Sequence, residues 1–369
     1  MSGTVVLHVA KASGISGSEA HLLLLLPQLR ERGWDVRFLL LHEDEPGAWE
    51  LAARLDGAGV PVQRVRLSRA ADPLAFGRVL RVVRRQRPAI LHTHLVHADF
   101  HGLLAGRLAR VPVLASTKHG FNPFRASRAF AAADRVVGRL VDLHIAISGG
   151  LARYLADTEG FAEQSFEVVH YGIVPGPEPS PPPDAPRVAV VGRLIPIKGH
   201  HVLLEAAAAA VRELPGLEVE IAGAGPLDTE LRERATALGL DGKVRFLGHT
   251  PAAEVIERAA VVAVPSLGEG FGMVALEAME RGRAVVASDV GGLPEIVADG
   301  TTGVLVPAGD AAALAAALVD LAGNAERVRA FGEGGRARAL DAFPQDRCTG
   351  RTEELYEAAL RRKGLSPRS

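Results

Sequence analysis

The chain has 369 residues, 48% of them apolar and 23% charged, close to the averages of soluble globular proteins. Its length predicts two domains rather than one core. A formal net charge of −1 excludes a global field that would recruit nucleic acid or an anionic bilayer. The single cysteine, Cys348, excludes an intrachain disulfide and a cysteine-based metal site, and predicts a reducing, cytoplasmic setting.

The opening MSGTVVLHVA has no basic stretch followed by a long apolar one, so no signal peptide is expected. The apolar run Leu22–Leu26 falls far short of the ~20 residues that cross a bilayer. Strands are predicted at Thr4–Val9, Asp35–Leu41, Val62–Val65, Ala89–Thr93, Val113–Thr117, Leu143–Ile147 and Phe166–His170, with helices near 17–32, 72–87, 97–110, 125–140 and 149–158. Strand–helix–strand alternation implies parallel pairing and a doubly wound sheet.

Three features of this half invite chemistry. Ser13-Gly-Ile-Ser-Gly-Ser-Glu-Ala-His21 follows the first strand and opens a leucine-rich helix; without a ligand it is a serine-capped helix start. Arg78, Arg81, Arg84, Arg85 and Arg87 recur at helical spacing. They make either a solvated face or a weak peripheral contact with anionic lipid at the inner side of a membrane. Leu91-His-Thr-His-Leu-Val-His97 and Ser116-Thr-Lys-His-Gly120 place histidines at carboxyl ends of strands. His92 and His94 share one strand face and could hold a metal, or could hydrogen-bond and pack.

Pro175 to Pro186 holds seven prolines in twelve residues and reads as a semi-rigid extended linker. The strand pattern then restarts at Arg187–Val191, Glu218–Ala222, Val244–Leu247, Val261–Pro265, Ala284–Ser288 and Gly303–Val306. The predicted layout is a first domain over 1–174, a linker over 175–186, a second domain over 187–345 and a tail over 346–369. The tail is helical from about 325 to 363 and folds back on the first domain. Ligands of open α/β sheets sit at carboxyl ends of strands, so two such domains predict a cleft and not its chemistry.

The second half carries the sharpest motifs. Val191-Gly-Arg-Leu-Ile-Pro-Ile-Lys-Gly-His200 puts Arg193 and Lys198 on a strand-to-helix loop, where a guanidinium fork and an ammonium suit phosphate oxygens. Pro265-Ser-Leu-Gly-Glu-Gly-Phe-Gly-Met-Val-Ala-Leu-Glu277 leaves a buried strand, crosses a glycine-rich turn and enters a helix. Free amides at that helix start form an anion site, and Gly270 and Gly272 carry no Cβ to block a phosphate. Glu269 and Glu277 suit paired sugar hydroxyls.

Together GRLIPIKGH and SLGEGFGMVALE resemble the C-terminal half of glycosyltransferase family four. Ala222-Gly-Ala-Gly-Pro226, Val244-Arg-Phe-Leu-Gly248 and Ser288-Asp-Val-Gly-Gly-Leu-Pro-Glu295 match in order. The resemblance implies an α/β fold of GT-B architecture, two Rossmann-like domains facing across a cleft, and a retaining transfer from a nucleoside-diphosphate sugar to a hydroxyl acceptor. No metal or other cofactor and no nucleic-acid partner are expected. It also implies roles: Arg193 and Lys198 hold the diphosphate, Glu277 the ribose, and Glu269 the transferred sugar, with the backbone of Phe271, Gly272, Met273 and Val274 assisting. Phe246 would border the base. The Ser16–Gly17 step is similar to the family's glycine pair, with Ser16 replacing the first glycine. His119 matches a histidine set beside the donor sugar, and the family's metal independence implies a hydrogen-bonding or packing role for His92 and His94, with His94 near the acceptor. The alternatives are a GT-B nucleotide-sugar epimerase and a nucleotide-sugar-binding protein without turnover.

Overall fold

The computed structural model describes residues 3–68, 72–121 and 135–366. The chain forms two units, residues 1–172 with 345–369, and residues 173–344. In the first unit the strands are Val5–Lys11 (β1), Asp35–His42 (β2), Val62–Arg66 (β3), Ile90–His94 (β4), Val113–Lys118 (β5), Leu143–Ala146 (β6) and Phe166–Val168 (β7). They lie in the order β3-β2-β1-β4-β5-β6-β7, all parallel. In the second they are Arg187–Val191 (β8), Glu218–Ala222 (β9), Val244–Gly248 (β10), Val261–Val264 (β11), Ala284–Ser288 (β12) and Gly303–Val306 (β13). Their order is β10-β9-β8-β11-β12-β13, again all parallel. Each sheet therefore reverses its winding once, between β1 and β4 and between β8 and β11, where loops part and leave room for a ligand. All thirteen expected strands are present, with ends displaced by two residues at most. Central strands such as β11 and β12 are buried along their whole length, because helices cover both faces.

The pleat of the first sheet sorts its side chains. Val6 and Ala10 of β1, Ile90 of β4 and Ala115 of β5 join the core under the helices Gly17–Glu31 and Gln345–Arg362. Leu7, Val9, Leu91 and Leu114 join the opposite core under helix Pro73–Gln86. Alternation along each strand places His8, His92, His94 and Thr117 with the first set.

Several helical expectations are corrected. Helix Pro46–Gly57 was not expected; Pro46 starts it, and Ala48, Leu51, Ala52 and Leu55 make its buried stripe. The helix expected over 97–110 is three pieces, Val96–Ala98, a π-turn over Asp99–Leu103, and Leu104–Ala109. Of the helix expected over 125–140, residues 125–134 lie outside the described residues and 135–138 are helical. The tail is two helices, Ala325–Ala342 and Gln345–Arg362. Pro344 separates them because it lacks an N–H and pushes Phe343 out of helical geometry, to φ −126° and ψ 38°.

The proline-rich stretch is held to the second unit rather than free. The Gly176 N–H donates to Glu280 (2.8 Å), the Ser180 N–H to Glu257 (3.1 Å), and the buried Arg283 guanidinium to the Ser180 carbonyl (2.8 Å). Helix Gln345–Arg362 completes the first unit. Glu353 accepts from Arg32 (3.0 Å) and from the Trp34 indole N–H (3.1 Å), and Tyr356 and Leu360 are fully buried.

Candidate functional site

In the second unit the loops after β8 and β11 meet at the winding reversal. The Leu267 N–H donates to the Ile197 carbonyl (2.8 Å). Gly199 sits at φ +68°, and a Cβ there would lie 1.8 Å from the Pro265 carbonyl oxygen, so only glycine lets the loops approach this closely. The neutral, buried His200 donates from Nε2 to the Arg193 carbonyl (3.1 Å) and shapes the same loop. Arg193 is exposed, and its guanidinium has no partner among the described residues.

Lys198 and Glu269 face each other. Nζ lies 2.5 Å from Oε2, which also accepts from the Ser266 hydroxyl at 3.1 Å. Lys198, Ser266, Glu269 and Val274 line a small cavity of about 20 Å³. The two charges cancel locally, so among the described residues of this loop pair Arg193 is the cation left unpaired. A phosphate taking Lys198 has to compete with Glu269.

The glycine-rich turn continues through Gly270, Phe271 and Gly272 into helix Met273–Glu280, with Gly272 at φ +117°. The Phe271 ring is buried edge-on against Phe343, so only its backbone is available to a ligand. The loop after β12 braces the turn: the Gly292 N–H donates to the Glu269 carbonyl (3.1 Å), and a Cβ on Gly291 would lie 1.8 Å from that oxygen. Glu277 lies beyond, half-buried. Burial pushes its carboxyl up to about 7, against the pull of Arg281 and with a further push from Glu280. Phe246 stands apart on the edge strand β10, its ring under the Arg232 guanidinium at 4.7 Å.

In the first unit Ser16 adopts an extended backbone, φ −125°, open to any residue, so this step needs no glycine. The Glu19 carboxylate accepts from the Ser16 N–H (3.1 Å) and from the Ser16 (2.5 Å) and Ser18 (3.0 Å) hydroxyls. It thereby presents Gly17 at the start of helix Gly17–Glu31. His94 and His119 come together, Nδ1 to Nε2 at 2.9 Å, and His119 Nδ1 meets the Tyr171 hydroxyl. Both His119 nitrogens are thus engaged, and burial first, then His21, His92 and Lys118, drives its pKa well below the usual histidine value. Next to it, on the other face, the buried Lys118 ammonium pairs with Asp99 (2.7 Å), which also accepts from Ser116 (2.8 Å) and Thr93 (2.5 Å). Leu95 follows β4 at φ +68° and ψ 158°, a conformation costing a non-glycine residue roughly 1–3 kcal/mol, which turns the chain sharply after His94.

The structure thus brings Arg193, Lys198, Glu269 and the 270–274 turn to one edge of the second sheet, and His94 and His119 to one edge of the first. Ser266 lay inside the quoted Pro265–Glu277 motif without an assigned role, and sequence reasoning missed His8, Tyr171 and Tyr356. Only His8 had a signal, as a polar residue inside the apolar strand VVLHVA.

The sequence profile described as glycosyl transferases group 1 matches residues 185–324, and that of glycosyltransferase family 4 matches residues 15–176. The α-maltose-1-phosphate synthase of Mycolicibacterium smegmatis is 30% identical over 347 residues, spanning 83% of this chain and 89% of that protein. The D-inositol 3-phosphate glycosyltransferase of Nocardia farcinica is 42% identical over 189 residues, spanning 48% of this chain and 42% of that protein. The match thus spans less than half the length of that relative. Among solved structures, Anabaena HepE in complex with UDP and glucose superposes with a TM-score of 0.84 at 21% identity, covering 96% of this chain and all of that one. The fold is that of the GT-B glycosyltransferases.

Proposed function

The chain belongs to the group 1 glycosyltransferases of family 4, and from that premise we propose that it is a retaining, metal-independent enzyme moving a sugar from a nucleoside-diphosphate sugar to a hydroxyl acceptor. The observation that carries this reading is the edge of the second sheet, where an unpartnered Arg193, a Lys198–Glu269 pair and a glycine-lined helix start converge.

In the proposed reaction the bond from the anomeric carbon to the diphosphate oxygen breaks, and a bond to the acceptor oxygen forms on the same face. The acceptor proton goes to the departing phosphate. Arg193, Lys198 and the 270–274 amides stabilise the negative charge that grows there, and being already oriented they need no reorganisation during the step. Glu277 takes ribose hydroxyls and Glu269 the transferred sugar. His119 serves that sugar too, and any hydroxyl it binds must exchange with Tyr171 or His94.

HepE was solved with UDP-glucose, which makes that donor the first to test. The names of two relatives, a D-inositol 3-phosphate glycosyltransferase and an α-maltose-1-phosphate synthase, are reasons to try phosphorylated hydroxyl compounds as acceptors, beside cell-envelope glycans, lipids and natural-product aglycones. Among the described residues no helix is long and apolar enough to cross a membrane; any membrane contact is proposed to be peripheral, through Arg78–Arg87, on the cytoplasmic side.

The test is release of nucleoside diphosphate after exhaustive chelation, across a panel of donors, with and without acceptors. Acceptor-stimulated release is expected. Donor binding without release would leave a binding protein, release of an epimerised sugar would leave an epimerase, and activity restored only by a divalent ion would end the metal-free reading.

A further inference from the structure

Strands β1, β4 and β5 lie side by side in the first unit, and His8 stands level with His92 across β1 and β4. His8, His92, His94 and Tyr356 are at most 1% exposed. An unbroken series of contacts links them. Thr117 Oγ1 meets His92 Nε2 at 2.7 Å, and His92 Nδ1 meets the Tyr356 hydroxyl. That hydroxyl lies 3.4 Å from His8 Nε2, and His8 Nδ1 lies 2.9 Å from His94 Nε2. His94 Nδ1 then meets His119 Nε2 at 2.9 Å, and His119 Nδ1 meets the Tyr171 hydroxyl. Each of the four rings spends one nitrogen on each side.

A neutral imidazole has one N–H and one lone pair. Burial keeps these rings neutral: it lowers His8 to about 3, and His92, His94 and His119 well below the usual value. Each ring must then donate on one side and accept on the other, and the choice at one ring dictates the next. Following the atoms through, all four carry the proton on Nδ1 or all four carry it on Nε2. A mixed set would set two N–H groups or two lone pairs face to face between rings, or, across Tyr356, leave the hydroxyl proton or one histidine lone pair without a partner, in a dry interior where unsatisfied polar groups are costly.

Ring nitrogens of His8, His92 and His94 also lie within 4.8 Å of one another, as metal ligands would. A zinc-type ion needs lone pairs directed at one centre from about 2.0–2.1 Å. Here the His8 and His94 nitrogens are directed at each other, and the remaining ones at Tyr356, Thr117 and His119.

We propose that His92, Tyr356, His8 and His94 form a proton-ordered relay that sets which tautomer His119 presents at the carboxyl edge of the sheet, with Tyr356 as a remote positioning residue. The relay decides whether an incoming hydroxyl at His119 meets an N–H or a lone pair. Its part in turnover rests on the proposed role of His119.

The test is NMR of the full chain labelled with ¹⁵N at histidine, with metal analysis of the same sample. The expected result is one common tautomer for His8, His92, His94 and His119, with nitrogen–nitrogen couplings across the His8–His94 and His94–His119 links. Mixed tautomers, absent couplings or a stoichiometric metal ion would overturn the relay. Tyr356→Phe cuts it. His92 should then become independent of the other rings, His119 should show both tautomers, and kcat should fall about 10-fold with donor KM within about twofold, a loss of roughly 1.4 kcal/mol in transition-state stabilisation. An unchanged kcat in that variant would remove Tyr356 from the positioning role. Should the variant fail to fold, the wild-type couplings decide. A wild-type protein with the common tautomer and couplings but no transfer to any acceptor would sustain the relay and sink only the proposed function.

Discussion

Lys198 and Glu269 are 71 positions apart in sequence and 2.5 Å apart in space, and this changes what each substitution should do. Arg193→Ala removes one exposed, unpartnered cation and should weaken nucleoside-diphosphate binding by roughly 10-fold, the size of one charge-assisted contact. Lys198→Ala removes a cation and also leaves the Glu269 carboxylate facing the phosphate, so its loss should be larger, and a second change, Glu269→Gln, should return part of it. Isothermal titration with the diphosphate checks both; equal losses with no rescue would separate the pair from the phosphate. Glu277 supplies a pH signature. Its folded value near 7 exceeds the ordinary 4.5, so its contribution to stability is fully present below 4.5 and is lost as pH rises through 7. Glu277→Gln, which cannot ionise, should gain on wild type between pH 4 and pH 8 by at most about 3 kcal/mol in denaturant melts. The same variant should raise donor KM with little change in kcat, because ribose hydroxyls do not alter during transfer. The residue types at this edge were legible, since a strand, a glycine turn and a helix start leave few places for Arg193, Lys198 and Glu269. The partnership of Lys198 with Glu269, and that of His119 with Tyr171, had no sequence signal because tertiary packing alone makes them.

Helix Pro73–Gln86 shows how far periodicity carries. Its buried stripe is Ala75, Val79 and Val83, and Asp72 caps it through the N–H groups of Leu74 (2.9 Å) and Ala75 (3.0 Å). On the outer side Arg81, Arg84, Arg85 and Arg87 are exposed and without an acidic partner among the described residues. Leu74 is 73% exposed on the same helix, and Leu104 and Leu108 are exposed on the helix packed beside it. Basic side chains interleaved with leucines suit an anionic bilayer, at about 1 kcal/mol for each arginine close to the surface. Changing Arg81, Arg84 and Arg85 together to Gln should therefore reduce co-sedimentation with phosphatidylserine vesicles at low salt by at least 10-fold. Wild-type protein that ignores such vesicles would leave this face solvated. Strands were legible to within two residues, most plainly the central ones such as β11 and β12, which are apolar runs because helices cover both of their faces. Helices were read less well where one residue decides: Pro46 opens a short one that resembles a turn, Pro344 splits a long one, and the π-turn at Asp99 answers to the buried Lys118, Ser116 and Thr93 rather than to local propensity.

At the scale of the whole chain, the second unit is one continuous stretch and the first is not. Both tryptophans, Trp34 and Trp49, belong to the first unit, and Trp34 packs edge-on against Tyr356, so tryptophan fluorescence reports on that unit alone. Removing residues 345–369 takes away Tyr356, Leu355 and Leu360 and bares the face that carries Leu22, Leu26 and Val36. Burying side chains of this size contributes about 1.5–3 kcal/mol each, which is a large share of a unit's stability. The truncated chain should lose its cooperative fluorescence transition yet still bind the diphosphate through the second unit; an unchanged transition would show that the first unit closes without its last helix. Synthesis gives this arrangement a direction in time. A ribosome completes every residue of the second unit before it delivers Gln345–Arg362, so the unit begun first is finished last. Until that helix arrives, its finished seven-stranded sheet must wait with an open apolar face, which makes the nascent first unit the stretch most in need of a chaperone.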